Sequence, residues 1–60
     1  MMNIEVELSD EQAWALAEFL KRAGYGDYQV LAANEREACD MRDAGEKMRA
    51  ALAELGYAPR

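Results

Sequence analysis

A chain of 60 residues is one domain near the lower size limit for folding without a disulfide or a metal, because so short a chain buries only ~60% of its unfolded surface. Twelve Asp and Glu against seven Lys and Arg leave a net charge of -5, which repels DNA and RNA, since sequence-independent binding there depends on Lys and Arg neutralising phosphates. With no histidine and the single Cys39, the chain lacks the commonest general base, a His-based metal site and an internal disulfide, so enzyme and metalloprotein are the classes it fits least.

The first element is NIEVEL, residues 3–8, where Ile4, Val6 and Leu8 alternate strictly with Asn3, Glu5 and Glu7. That alternation predicts a half-buried β-strand. Ser9 with Gln12 three residues later is a capping box, and Asp10 and Glu11 lie where negative charge suits a helix N-terminus. The spacing predicts a first helix over 10–23, with Lys21 and Arg22 in its last turn and Gly24 as a left-handed stop. At ~100° per residue its apolar stripe is Ala13, Leu16, Phe19, Leu20 and Ala23, and the only tryptophan, Trp14, falls on the far side near Glu18.

Residues 24–34 are ambiguous between a strand, in which Tyr28, Val30 and Ala32 alternate, and one helical turn capped by Asp27; a short helix over 28–32 is the reading preferred here. Asn34 and Glu37 repeat the capping-box spacing and predict a second long helix over 35–55, stopped by Gly56 and the nearby Pro59. Its core stripe is Ala38, Met41, Gly45, Met48, Leu52 and Leu55, flanked by Ala44 and Ala51. Its polar face pairs Arg36 with Asp40 and Asp43 with Lys47, each by ~0.2 to 0.5 kcal/mol. Gly45 inside a helix costs ~1 kcal/mol against alanine, and its place on the stripe predicts a close backbone approach or a kink.

A lone strand cannot satisfy its ladder hydrogen bonds. NIEVEL therefore needs a neighbour from residues 28–32, from the tail GYAPR, or from another molecule, the last by dimerisation or strand addition. The expected fold is α/β (α+β): one strand or a minimal sheet packed against two main helices, with a short helical or extended connector, in a single domain over residues 1–60.

Four carboxylates, Glu5, Glu7, Asp10 and Glu11, fall within seven residues. They read either as a solvated strand face followed by dipole complements, or as an acidic patch for a basic protein surface. Trp14, beside them with Glu18, is either a ring that closes a small core, for instance against Tyr57, or an interface anchor. Cys39 reads as a semi-exposed thiol without an activating partner. Asp40 and Asp43, one turn apart, read as an ordinary solvated pair, so no metal or cofactor is expected. No segment nears the ~20 apolar residues of a membrane span, and no basic head precedes an apolar run at the N-terminus, so a cytosolic protein is expected.

The run MNIEVELSDEQAWALAEFLKRAGYGDY, with EA and MRDAGEKMRAAL after it and LGYAPR at the close, resembles small proteins of phages and mobile elements in proteobacteria. It is similar to the very small acidic anti-CRISPR proteins that act on type I-C systems. The resemblance implies inhibition by binding inside the infected bacterium, with carboxylates presented to the basic DNA-binding surface of a Cascade subunit where phosphates would lie. Carried onto this chain, it makes Glu5, Glu7, Asp10 and Glu11 phosphate surrogates, with Trp14 and Glu18 at their edge. Arg36, Arg42, Lys47 and Arg49 on the second long helix depart from a uniformly anionic mimic and confine such a patch to the strand side. The alternative is a homodimeric or regulatory interaction module of a phage or mobile element whose charge serves solubility.

Overall fold

In the computed structural model, which describes residues 1–60, three α-helices follow one another: α1, Asp10–Arg22; α2, Tyr25–Leu31; and α3, Glu35–Glu54. There is no strand, so the α/β expectation is corrected to an all-helical fold. Residues 3–8 are outside any regular element, and every residue of this arm is exposed. The reason is hydrogen-bond supply. None of the backbone hydrogen bonds involves residues 1–8, and the segments expected to pair with the arm are committed elsewhere. Residues 25–31 are wound into α2, where the Asp27 carboxylate accepts from the Gly24 N–H at 2.8 Å. The tail closes onto the end of α3.

The helix starts follow the residues that announce them. At α1, Gln12 N–H donates to Ser9 Oγ at 3.1 Å and Ser9 N–H donates to Gln12 Oε1 at 2.9 Å, a reciprocal box that satisfies two otherwise orphaned donors. At α3, Glu37 N–H donates to Asn34 Oδ1 at 2.8 Å, while the Glu37 carboxylate reaches past the cap to Ala33 N–H at 3.1 Å. The end of α1 departs from expectation. Ala23 turns extended at φ -69°, ψ 123°, and Gly24 has φ -108°, so no left-handed stop is used there. The connector helix is longer than expected and begins three residues earlier, at Tyr25.

Both α1 and α2 pack against α3. The buried residues are Ala13, Ala17 and Leu20 from α1 and Ala38 and Leu52 from α3, with Leu16 and Tyr57 partly buried against the main cluster. The inward stripe of α1 is thus rotated toward Ala17, leaving Phe19 58% exposed. The methyl side chains let helix axes come close, and the two leucines each contribute ~1.5 to 3 kcal/mol of burial. Of the expected stripe, Met48 and the C-cap residue Leu55 are exposed, because the cover that α1 and Tyr57 provide reaches Leu52 between them but not the residues on either side. The surface ion pairs also differ from the expected ones: Arg22 meets Glu18 at 2.9 Å and Arg42 meets Asp43 at 3.3 Å.

Gly45 has a close neighbour, but it is the Tyr28 ring of α2 and not the backbone of α1 or of a strand. A Cβ there would lie 2.5 Å from Tyr28 Oη and 3.6 Å from a Leu20 methyl. The missing side chain makes room for Tyr28 of α2 beside Leu20 of α1.

Candidate interaction surface

The C-terminus of α3 builds one side of the surface. Gly56 takes φ 100°, the only positive φ in the chain, a conformation open to glycine at little cost. Its N–H donates to the Ala53 carbonyl at 3.0 Å and the Tyr57 N–H donates to the Leu52 carbonyl at 2.9 Å, the two bonds of a Schellman ending. That ending folds Tyr57 back over Leu52 and toward α1. Its ring meets Trp14 edge to face, centroids 5.3 Å apart and planes at 77°, and its hydroxyl donates to Asp10 Oδ1 at 2.5 Å. This bond, then burial, then the charge of Asp10 hold the Tyr57 proton above the usual value of 10.0.

The arm builds the other side. Ile4, Val6 and Leu8 border an open groove whose far wall is Met48 and Leu52 of α3 with its C-cap residue Leu55, and Glu5 and Glu7 rim it. Where the arm approaches α1, Val6, Glu7 and Leu8 share a smaller hollow with Ala13 and Tyr57. Ile4 and Val6 are 70% and 65% exposed. A second apolar surface lies on the opposite side of α1, where Phe19 faces Val30 and Leu31 of α2 across an open depression.

The expected site residues separate into two groups. Glu5, Glu7 and Glu11 are exposed and enter no ion pair or side-chain hydrogen bond. Asp10 is engaged by Tyr57 and Glu18 by Arg22, so both are partly answered by the chain itself. Trp14 packs against Tyr57, the partner named for it in the core reading, and 44% of the residue is exposed. The residue that organises this side, Tyr57, was legible only as one possible partner for Trp14; its signal is the spacing Gly56-Tyr57 after a helix, the positions a Schellman ending requires. The groove wall of Met48 and Leu55 was read as core, because a helical stripe does not reveal which of its turns go uncovered.

On the other face of α3, the Cys39 thiol is half-buried and donates to Tyr25 Oη at 3.9 Å, with Arg42 5.6 Å above the Tyr25 ring. Burial, then the Cys39 contact, raise the Tyr25 hydroxyl above its usual range. No group of three or more His, Cys, Asp and Glu is placed to hold a metal ion, and no helix is long and apolar enough to cross a membrane.

No curated protein and no solved structure matches this chain. The family comparison does give a match: residues 1–60 fit, over the whole chain, a family of unknown function, DUF7706, and the protein belongs to that family.

Proposed function

We propose that the protein is a binding module that works without chemistry of its own, presenting Glu5 and Glu7 beside an apolar groove, together with the exposed Glu11, to a cationic surface of another protein. The observation that carries this reading is the arm. It is exposed along its length, makes no backbone hydrogen bond to the rest of the chain, and bears carboxylates that no internal cation answers. Backbone groups left free in an extended segment are a template for strand addition, and uncompensated carboxylates steer a basic partner toward it. Trp14, half on Tyr57 and half in solvent, is an anchor of the kind that dominates interface energy.

The narrower reading is a bacterial cytoplasmic inhibitor of a type I-C Cascade complex that blocks target DNA recognition. It rests on the likeness in sequence to small acidic anti-CRISPR proteins. Capture of purified type I-C Cascade on the immobilised protein tests it. Binding that fades as salt rises and is lost in the triple variant Glu5→Gln, Glu7→Gln, Glu11→Gln supports the reading, because docking between exposed charges is screened beyond ~10 Å at 0.1 M salt. Absence of binding removes the Cascade assignment, and binding that the triple variant keeps removes the acidic surface.

A further inference from the structure

The area this chain leaves exposed is out of proportion to its size. Its accessible surface is 5103 Å² for 6.7 kDa, whereas folded chains of that mass expose about 3,900 Å². The radius of gyration, 12.1 Å, likewise exceeds the roughly 10 Å expected for this length. The excess, about 1,200 Å², is more than the ~800 Å² that each partner contributes to a standard stable interface. The arm, every residue of which is exposed, and the groove between Ile4, Val6 and Leu8 and the wall of Met48, Leu52 and Leu55 contribute to it.

The arm also carries its own complement. An antiparallel pairing of residues 4–8 with the same residues of a second copy, centred on Val6, sets Ile4 opposite Leu8 and Val6 opposite itself, so all apolar side chains fall on one side of the ribbon. Glu5 and Glu7 then stand on the other side. A shift of one residue would turn the apolar row outward on one strand, so the pattern fixes which side of the ribbon each residue takes. The ribbon pairs the N–H and C=O groups that each arm turns toward the other, about half of those left free, and its apolar side covers the two α3 grooves.

We propose that two copies of this chain associate through such a two-stranded ribbon about a two-fold axis at Val6, closing the arm onto the apolar wall of α3. This rests on the reading of the arm as the interaction surface and names its first partner as the chain itself. The pairing also sets Glu5 of one copy against Glu7 of the other, and like charges directly opposite one another oppose the association. Salt therefore strengthens self-association, the reverse of its effect on docking to a cationic partner, and the four outward glutamates form the acidic face that such a partner meets.

Sedimentation equilibrium on the full chain tests the pairing. The expected mass rises from 6.7 kDa toward twice that value with concentration, at a dissociation constant that falls several-fold between low and high salt. Val6→Glu, a change at an exposed residue, is expected to hold the mass at the single-chain value while leaving the helical circular dichroism unchanged. In a Cys39→Ser background, Val6→Cys is expected to form a cross-linked dimer on mild oxidation, because residues opposite each other lie within disulfide reach. Ile4→Cys is expected not to, its counterpart being ~14 Å away along the ribbon.

A mass that stays at the single-chain value at every concentration overturns the pairing, as does a dimer indifferent to Val6→Glu or one that cross-links equally well at both positions. A single chain that still captures a cationic partner through Glu5 and Glu7 overturns the pairing alone. A ribbon dimer that captures none supports the pairing and overturns only the acidic-surface reading.

Discussion

Trp14 and Tyr57 meet edge to face at 5.3 Å, and this pair ties the last residues of the chain to the first turns of α1. The Tyr57 hydroxyl adds a second tie through Asp10. Tyr57→Phe keeps the ring and removes only the O–H, so the expected loss is about 1 kcal/mol. Tyr57→Ala removes burial and the aromatic pair as well, and about 2 to 3 kcal/mol is expected. Urea unfolding followed by Trp14 fluorescence measures both, and equal losses would show that the ring contributes nothing.

Alkaline conditions address the same hydroxyl from the other direction. Its proton is held above the ordinary 10.0, chiefly by the bond to Asp10. As pH rises past 10 the unfolded chain ionises this tyrosine first and binds fewer protons than the folded one, so stability falls from there upward and is insensitive to this group below. Urea midpoints collected from neutral pH to about 11.5 should decline at the alkaline end. Tyr57→Phe should flatten that decline, leaving the part due to Tyr25, whose hydroxyl is raised by burial and by Cys39.

Gly45 makes a prediction with a sign change. Alanine in a helix interior is better than glycine by ~1 kcal/mol, but here its Cβ would lie 2.5 Å from Tyr28 Oη and 3.2 Å from Cζ. Gly45→Ala alone should therefore destabilise, because the Tyr28 ring has to swing away from α3. With Tyr28→Ala already present both ring atoms are gone and the nearest remaining neighbour is the Leu20 methyl at 3.6 Å, so adding Gly45→Ala should stabilise that background. A double-mutant cycle by thermal denaturation reads the coupling, and additive effects would refute the contact.

Gly56→Ala places a Cβ on a backbone with φ 100°, at a cost of about 1 to 2 kcal/mol. The Schellman ending should loosen with it, releasing Tyr57 from Trp14. A drop in melting temperature with a change in Trp14 emission is the expected result. A lower melting temperature with unchanged emission would separate the turn from the placement of Tyr57.

The helices were readable from their ends. Ser9 with Gln12 and Asn34 with Glu37 place two N-termini at the right residue, and Gly56 marks the one true left-handed stop, because capping is local chemistry that needs no tertiary context. The strand was not readable, and the same alternation explains why. Ile4, Val6 and Leu8 prescribe which side of an extended segment is apolar, yet a strand exists only when a second segment offers its backbone, and α2 withholds the one nearby. Of the expected site, Glu5, Glu7 and Glu11 are presented freely while Asp10 and Glu18 are answered by Tyr57 and Arg22. Those partnerships depend on how a helix end folds back and on which rotamer an arginine adopts, and neither is written in residue spacing.

The interior of this fold is faced largely by methyl groups, those of Ala13, Ala17 and Ala38, with Leu20 and Leu52 beside them. Bulk is what such an interior cannot admit: Ala17→Leu should lose about 1 to 3 kcal/mol by overpacking, whereas Val30→Ser, at a residue 81% exposed, should shift stability by no more than about 0.5 kcal/mol. The side chains that hold the three helices together and those that meet the outside world are thus almost disjoint sets. A lineage carrying this fold can reshape its contact face, one large apolar residue at a time, without disturbing the scaffold beneath.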